Sequence, residues 1–280
     1  MSSWEVEIVP KTRILDLRFK ELWEYRQLIW TFVKRNYSTR YKQMVFGSAW
    51  LIISPLLSVL TYTIVFGAIA GLSTDGVPRP IFYLTTNILW TFFATTINGN
   101  SSTFIGNAAL FGKIYFPRMV VPISNMITSA LDFFIQFALL ICLLLGYHFF
   151  AGYELAINWT IIFIPLYLLQ LGILGVGVGI IISSLTTKYR DLLPLVSYGV
   201  SLWMYLSPIV YSIDLIPDRF RGLYMLNPTA PVLLCFKYSM LGTGSVEINY
   251  MLISLVVSIV LFFIGLVLFN QIEKTFMDTV

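Results

Sequence analysis

Six stretches of this 280-residue chain run on for helix-spanning lengths almost without charge. They lie between Lys42 and Asp75, Arg79 and Lys113, Arg118 and Glu154, Glu154 and Lys188, Asp191 and Asp214, and Glu247 and Glu273. The shortest holds 22 residues, and only the third contains a charge, Asp132. About 20 apolar residues in a helix cross about 30 Å of hydrocarbon, and six such runs are not a soluble core. A composition of 58% hydrophobic and 11% charged residues, with a mean hydropathy of +0.81, points the same way.

The fold class expected is therefore an all-α integral membrane protein. A cytoplasmic segment, 1–43, carries an amphipathic interface helix. Six transmembrane helices fill 44–272, at about 44–70, 81–104, 119–148, 157–185, 192–213 and 248–272. Short re-entrant external helices occupy 214–247 between spans five and six, and 273–280 is a cytoplasmic tail.

Basic residues set the orientation. With six spans, fourteen of the 18 Lys and Arg fall on the side of the two termini, leaving Arg79, Arg219, Arg221 and Lys237 opposite. The positive-inside rule then places both termini in the cytoplasm. The net charge of +4 is a topology signal, and a nucleic-acid partner is not expected, because no basic patch lies on a soluble folded face. The first 43 residues lack the apolar core of a cleavable signal. Cys142 and Cys235 fall at different depths, which argues against a disulfide.

From Phe19 to Lys42, Phe19, Leu22, Trp23, Ile29, Trp30, Val33 and Tyr37 recur at helical spacing, with charged and amide side chains opposite. This reads as an interfacial helix on membrane lipid, either an anchor alone or also part of a docking surface. In the external stretch, Gly222–Phe236 is broken by Asn227-Pro228 and Pro231 and is too short to cross. Helices dipping back into the outer leaflet fit it. Asn227 and Pro228 then mark an external gate or a cap on the bundle.

Candidate chemistry is sparse. Gly106 to Ile114 imitates a phosphate-binding loop, but five residues separate its glycines and Ile114 stands where Ser or Thr would hold Mg²⁺. ATP binding by this chain is not expected, and neither is a metal site, since His148 is the single histidine. Asp132, with Ser129 and Gln136 on its helical face, either borders an aqueous path or clamps helices together. The second span carries Asn87, Thr91, Thr95, Thr96, Asn98 and Asn100, so one face must meet protein or water. Gly172, Gly175, Gly177 and Gly179 suit close helix packing. Aromatic residues such as Tyr62, Trp90, Tyr198, Trp203 and Tyr205 could stack on sugar rings along a wide path, joined by Asn98, Asp132 and Gln136.

The order of these parts resembles the permeases of ABC type-2 exporters, of the polysaccharide class. The matching pieces are Leu28-Ile-Trp-Thr-Phe-Val-Lys-Arg-Asn-Tyr, Tyr41 with Gly47-Ser-Ala-Trp50 and Pro55, and Lys113-Ile-Tyr-Phe-Pro117-Arg118 with Pro122. Tyr189-Arg190-Asp191, Ser207-Pro208-Ile-Val-Tyr211 and Leu226-Asn227-Pro228 follow in order. The resemblance implies a channel-forming subunit of the bacterial inner membrane, multi-pass and not itself an enzyme. It implies pairing with a second copy and with two cytoplasmic ATP-binding subunits, which hold the ATP and Mg²⁺. The cargo implied is a lipid-linked polysaccharide, O-antigen or similar. Lys113, Tyr115, Phe116 and Arg118, with Tyr189, Arg190 and Asp191, would dock the ATP-binding subunits. A teichoic-acid exporter, a small-molecule permease of the same superfamily and a membrane enzyme on lipid-linked sugars stand as alternatives. The scattered Asp132, Glu154 and Asp214 count against the enzyme.

Overall fold

The computed structural model describes residues 19–42, 44–114 and 116–279, with side chains from residue 21 to 272 of these. The expectations that fall on 1–18, Tyr115 and Val280 lie outside the described residues. Among those described, all regular structure is helical. In chain order the helices are α1 (Phe19–Glu24), α2 (Arg26–Tyr41), α3 (Trp50–Tyr62), α4 (Arg79–Ser101), α5 (Thr103–Gly106) and α6 (Ala108–Phe111). There follow α7 (Val120–Ala151), α8 (Ile164–Thr186), α9 (Leu192–Tyr205), α10 (Asp218–Met225), α11 (Ala230–Leu241) and α12 (Ile248–Thr279).

Four segments are long and apolar enough to cross a membrane: Gly47–Ile69, Val120–Ala151, Trp159–Thr186 and Ile248–Ile272. The first joins a 3₁₀ turn, α3 and a π-helical stretch over Thr63–Ile69. Gly47, at φ 49°, supplies the left-handed residue that turns the chain out of α2. The expected fifth span over 192–213 ends at Tyr205, because Pro208, without an N–H, cannot continue the ladder. The expected tail 273–280 continues α12 as helix to Thr279.

α4 organises the bundle. Every residue from Ile81 to Trp90 is buried, although α4 is the long helix too polar to rank with the four apolar segments. Its polar groups meet protein. Thr85 Oγ1 donates to the Ile81 carbonyl, Thr96 Oγ1 to that of Phe92, and Thr86 Oγ1 reaches Ile209 O at 2.9 Å. The face of the second span that the sequence requires to be sheltered is sheltered by α3, α7, α8, α9 and α11.

Glycines set how closely α8 approaches its neighbours. A methyl group on Gly179 would lie 2.5 Å from Asn100 Cβ of α4, and one on Gly177 would lie 2.8 Å from the Phe262 backbone of α12. The expected small-residue packing therefore operates on two faces at once. At the end near α5 and α6, Phe104, Phe111, Phe116 and Phe269 close a second core, which also takes Phe32 from α2.

α2 does not lie apart from the bundle. It climbs alongside α7: Phe32 contacts Phe116, Asn36 donates to Asn125 at 2.8 Å, and Arg40 reaches Asp132. Phe32, Val33 and Tyr41 are buried, while Trp23 and Trp30 stay exposed where interfacial tryptophans are favoured.

Candidate transport and coupling surfaces

Six of the eight expected path residues gather where α3, α4 and α9 meet. The Trp90 and Trp203 rings make an edge contact at 6.5 Å, and the Tyr62 hydroxyl lies 3.3 Å from Met204 Sδ. Asn98 faces Ser197 of α9. Tyr198 and Tyr205, 74% and 51% exposed, project from the outer face of α9, of which Val200 is the one buried residue. This leaves a strip of aromatic and amide groups along a thinly covered face.

Asp132 and Gln136 do not join that strip. They lie in a cleft of about 230 Å³ between α3, α4 and α7, bordered also by Arg40, Ser54, Thr91 and Thr95. Asp132 Oδ2 is 2.5 Å from Arg40 Nη1. Asp132 is about 18 Å along α7 from Val120, and Trp50 and Leu51, which open α3, border the same cleft. Asp132 therefore lies level with the start of the first apolar segment. Ser129 Oγ, Asp132 Oδ1 and Gln136 Oε1 are buried without a hydrogen-bond partner, and the cleft has room for water to reach them. The Tyr41 phenol beside them is pushed up to about 12, first by burial and then by the Asp132 charge. The geometry ties the buried Asp132 carboxylate to a guanidinium on another helix, at the edge of that cleft. In the sequence Arg40 counts only as one of the basic residues that set the orientation, and its partner is 92 positions away.

The two expected docking loops differ. In the first, Lys113 is exposed, whereas Phe116 and Arg118 are buried. The Arg118 guanidinium packs over the Phe104 and Phe111 rings at 6.0 and 5.3 Å, a cation–π arrangement that fixes the loop from behind. In the second, Tyr189, Arg190 and Asp191 are all exposed between α8 and α9.

The α10–α11 hairpin turns on Asn227. Its Oδ1 accepts from Trp203 Nε1 at 2.9 Å and from the Thr229 backbone N–H and hydroxyl. Its Nδ2 donates to Leu206 O and Ser207 Oγ. The side-chain amide thereby holds the α10–α11 turn against the end of α9, and the neighbouring Pro228 carbonyl accepts from Ser254 of α12. α11 is anchored by Lys237, which is 1% exposed, lies 3.3 Å from Asp75 Oδ2 and packs over Phe82 at 3.7 Å. That anchor was not legible in the sequence, where Lys237 counted only as an external cation.

The profile of the ABC-2 type transporter family matches residues 27–241. An O-antigen export system permease protein of Klebsiella pneumoniae is 30% identical over 252 residues, covering 90% of this chain and 94% of that one. A permease of the same description from Myxococcus xanthus is 25% identical over 221 residues, 78% and 82% of the two chains. A polysialic acid transport protein of Escherichia coli is 22% identical over 256 residues, 88% and 93% of the two.

Proposed function

Because the chain belongs to the ABC-2 type transporter family, we propose that it is the membrane permease of an ATP-driven exporter for a cell-surface polysaccharide, of the O-antigen kind. The observation that carries this is the match at 30% identity along nearly the full length of an O-antigen export permease. In this reading a separate subunit binds ATP and Mg²⁺, and this chain guides the lipid-linked polymer across the inner membrane.

Six crossings remain the topology that fits best. α4 supplies the second, its polarity tolerated because neighbouring helices cover it. α9 supplies the fifth, although its 14 residues span only about 21 Å; the α10–α11 hairpin at its end makes up the remaining thickness. Both termini face the cytoplasm, which puts Lys113 and Tyr189-Arg190-Asp191 toward the ATP-binding subunit. Phe116 and Arg118 act from beneath that surface.

Two copies would form the path. The aromatic strip on α3 and α9 is uncovered in the single chain, and a two-fold partner places an equivalent strip opposite it. Tyr198, Tyr205 and Asn98, with the partly exposed Tyr62 and Trp203, then offer ring faces and polar groups to sugars, backed by the buried Trp90, with the Asn227–Pro228 turn at the outer mouth. Asp132 and Gln136 lie off this route.

Removing the chain from its host tests the function. Surface polysaccharide should be lost and lipid-linked polymer should accumulate inside the cell, with recovery when the gene is restored. Normal surface glycan in the deletion strain would refute the assignment.

A further inference from the structure

A second, larger recess lies outside the cleft around Asp132. It is a groove of about 1100 Å³ between α2, α3 and α7. Its walls are apolar: Ile52 of α3, 40% exposed, and Phe134 of α7, 54% exposed, face each other across open space. Along α7 the groove extends from Leu131 to Cys142. That is about 16 Å of helix, close to half of the roughly 30 Å hydrocarbon thickness. The recess is one leaflet deep.

Its mouth is cationic. Lys34 of α2 and Lys42, which caps its end, both border it, eight residues and about 12 Å apart along the helix axis. The cations of α2 divide between two duties. Arg40 is paired with Asp132, and Arg35 bonds Asn107 and lies over the Phe32 ring. Lys34 and Lys42, both exposed, have no anionic partner among the described residues, and no acidic side chain borders the groove.

From this juxtaposition the geometry points to a binding site for an anionic diacyl phospholipid of the inner leaflet. The acyl chains lie against the α3–α7 walls, and the headgroup phosphate sits between Lys34 and Lys42. Basic recesses between membrane helices on the cytoplasmic side take anionic headgroups for this reason. A second copy of the chain is a poor occupant, because a two-fold contact would bring the same unneutralised lysines together. The inference uses the proposed orientation of α2 but not the identity of the exported polymer, and its test reads lipid binding alone.

The full-length protein in detergent would be titrated with spin-labelled phosphatidylglycerol and, separately, spin-labelled phosphatidylcholine. Phosphatidylglycerol should bind more tightly, and Lys34→Gln with Lys42→Gln should remove the preference, a loss of roughly 30-fold for two lysines. Arg26→Gln removes one charge from the same helix away from the groove and should leave the preference intact. Ala138→Trp, which fills the wall, should weaken both lipids. Equal affinities in the native chain, or a preference that survives loss of both lysines, would overturn the site. So would displacement of phosphatidylglycerol by polyprenyl phosphate at equal concentration, or a Cys142–Cys142 disulfide between copies in membranes. If deletion abolishes surface polysaccharide while lipid selectivity is absent, the export function stands and this site falls.

Discussion

A carboxylate enclosed by helices needs a counter-charge within reach, and Asp132 has Arg40. Arg40→Ala would leave that carboxylate buried and alone, at a cost of about 3 kcal/mol. The thermal unfolding midpoint of the purified protein in detergent should drop by several degrees. The double replacement Arg40→Met with Asp132→Leu, which removes both charges and keeps apolar volume, should recover most of the loss. An equal loss in the single and double variants would show that the pair is not what stabilises the junction. At this scale the sequence is only half informative. Hydropathy isolates Asp132 as the odd charge in a span, yet says nothing of a partner 92 residues earlier on another helix. The same limit hides the Lys237–Asp75 anchor, where long-range geometry joins two side chains that read as ordinary external charges.

Among the elements, α8 is held on two sides by glycine contacts that leave no space for a methyl group. Gly177→Ala should push α8 from α12, because the atoms it meets are backbone atoms of Phe262 and cannot rotate away. Overpacking of this kind costs about 1–3 kcal/mol. Gly146→Ala in α7, where a methyl group meets nothing within 4 Å, should be neutral or slightly stabilising. The comparison requires only unfolding midpoints, and equal effects at the two positions would contradict the packing account. Four apolar segments of spanning length, the glycine stripe and the broken α10–α11 hairpin were legible because each leaves a local signature: an apolar run, small residues at helical spacing, or prolines in an apolar stretch. The early end of α9 was less legible, since its apolar pattern continues past Tyr205 while the backbone stops before Pro208. α2 was legible as an amphipathic helix but not as a strut inclined along α7, because amphipathicity does not distinguish a lipid surface from a protein one.

For the whole molecule, topology and coupling follow from which ends are exposed to which compartment. A cysteine placed at Asn158 or Arg219 should react with an impermeant reagent added from outside intact spheroplasts, and one placed at Lys113 should not. Reaction of the first two only from the cytoplasm would invert the arrangement. Replacing Arg190 and Asp191 together with alanine should leave insertion and stability unchanged, since both side chains are exposed. Export should nevertheless fall sharply while the ATP-binding subunit still hydrolyses ATP. Full export from that variant would remove this loop from the coupling path.

The covered state of α4 carries a consequence for how the protein is made. A helix leaving the ribosome is first weighed against lipid on its own, and the threonines and asparagines of α4 make that partitioning poor. Apart from α3, its shelter is built from α7, α8, α9 and α11, all of them synthesised later. α4 must therefore wait beside the insertion machinery, or re-enter from the aqueous side, until those helices emerge. In the proposed six-crossing topology, membrane integration of this chain is a collective event, and a nascent chain cut before α8 would hold its central helix only loosely in the bilayer.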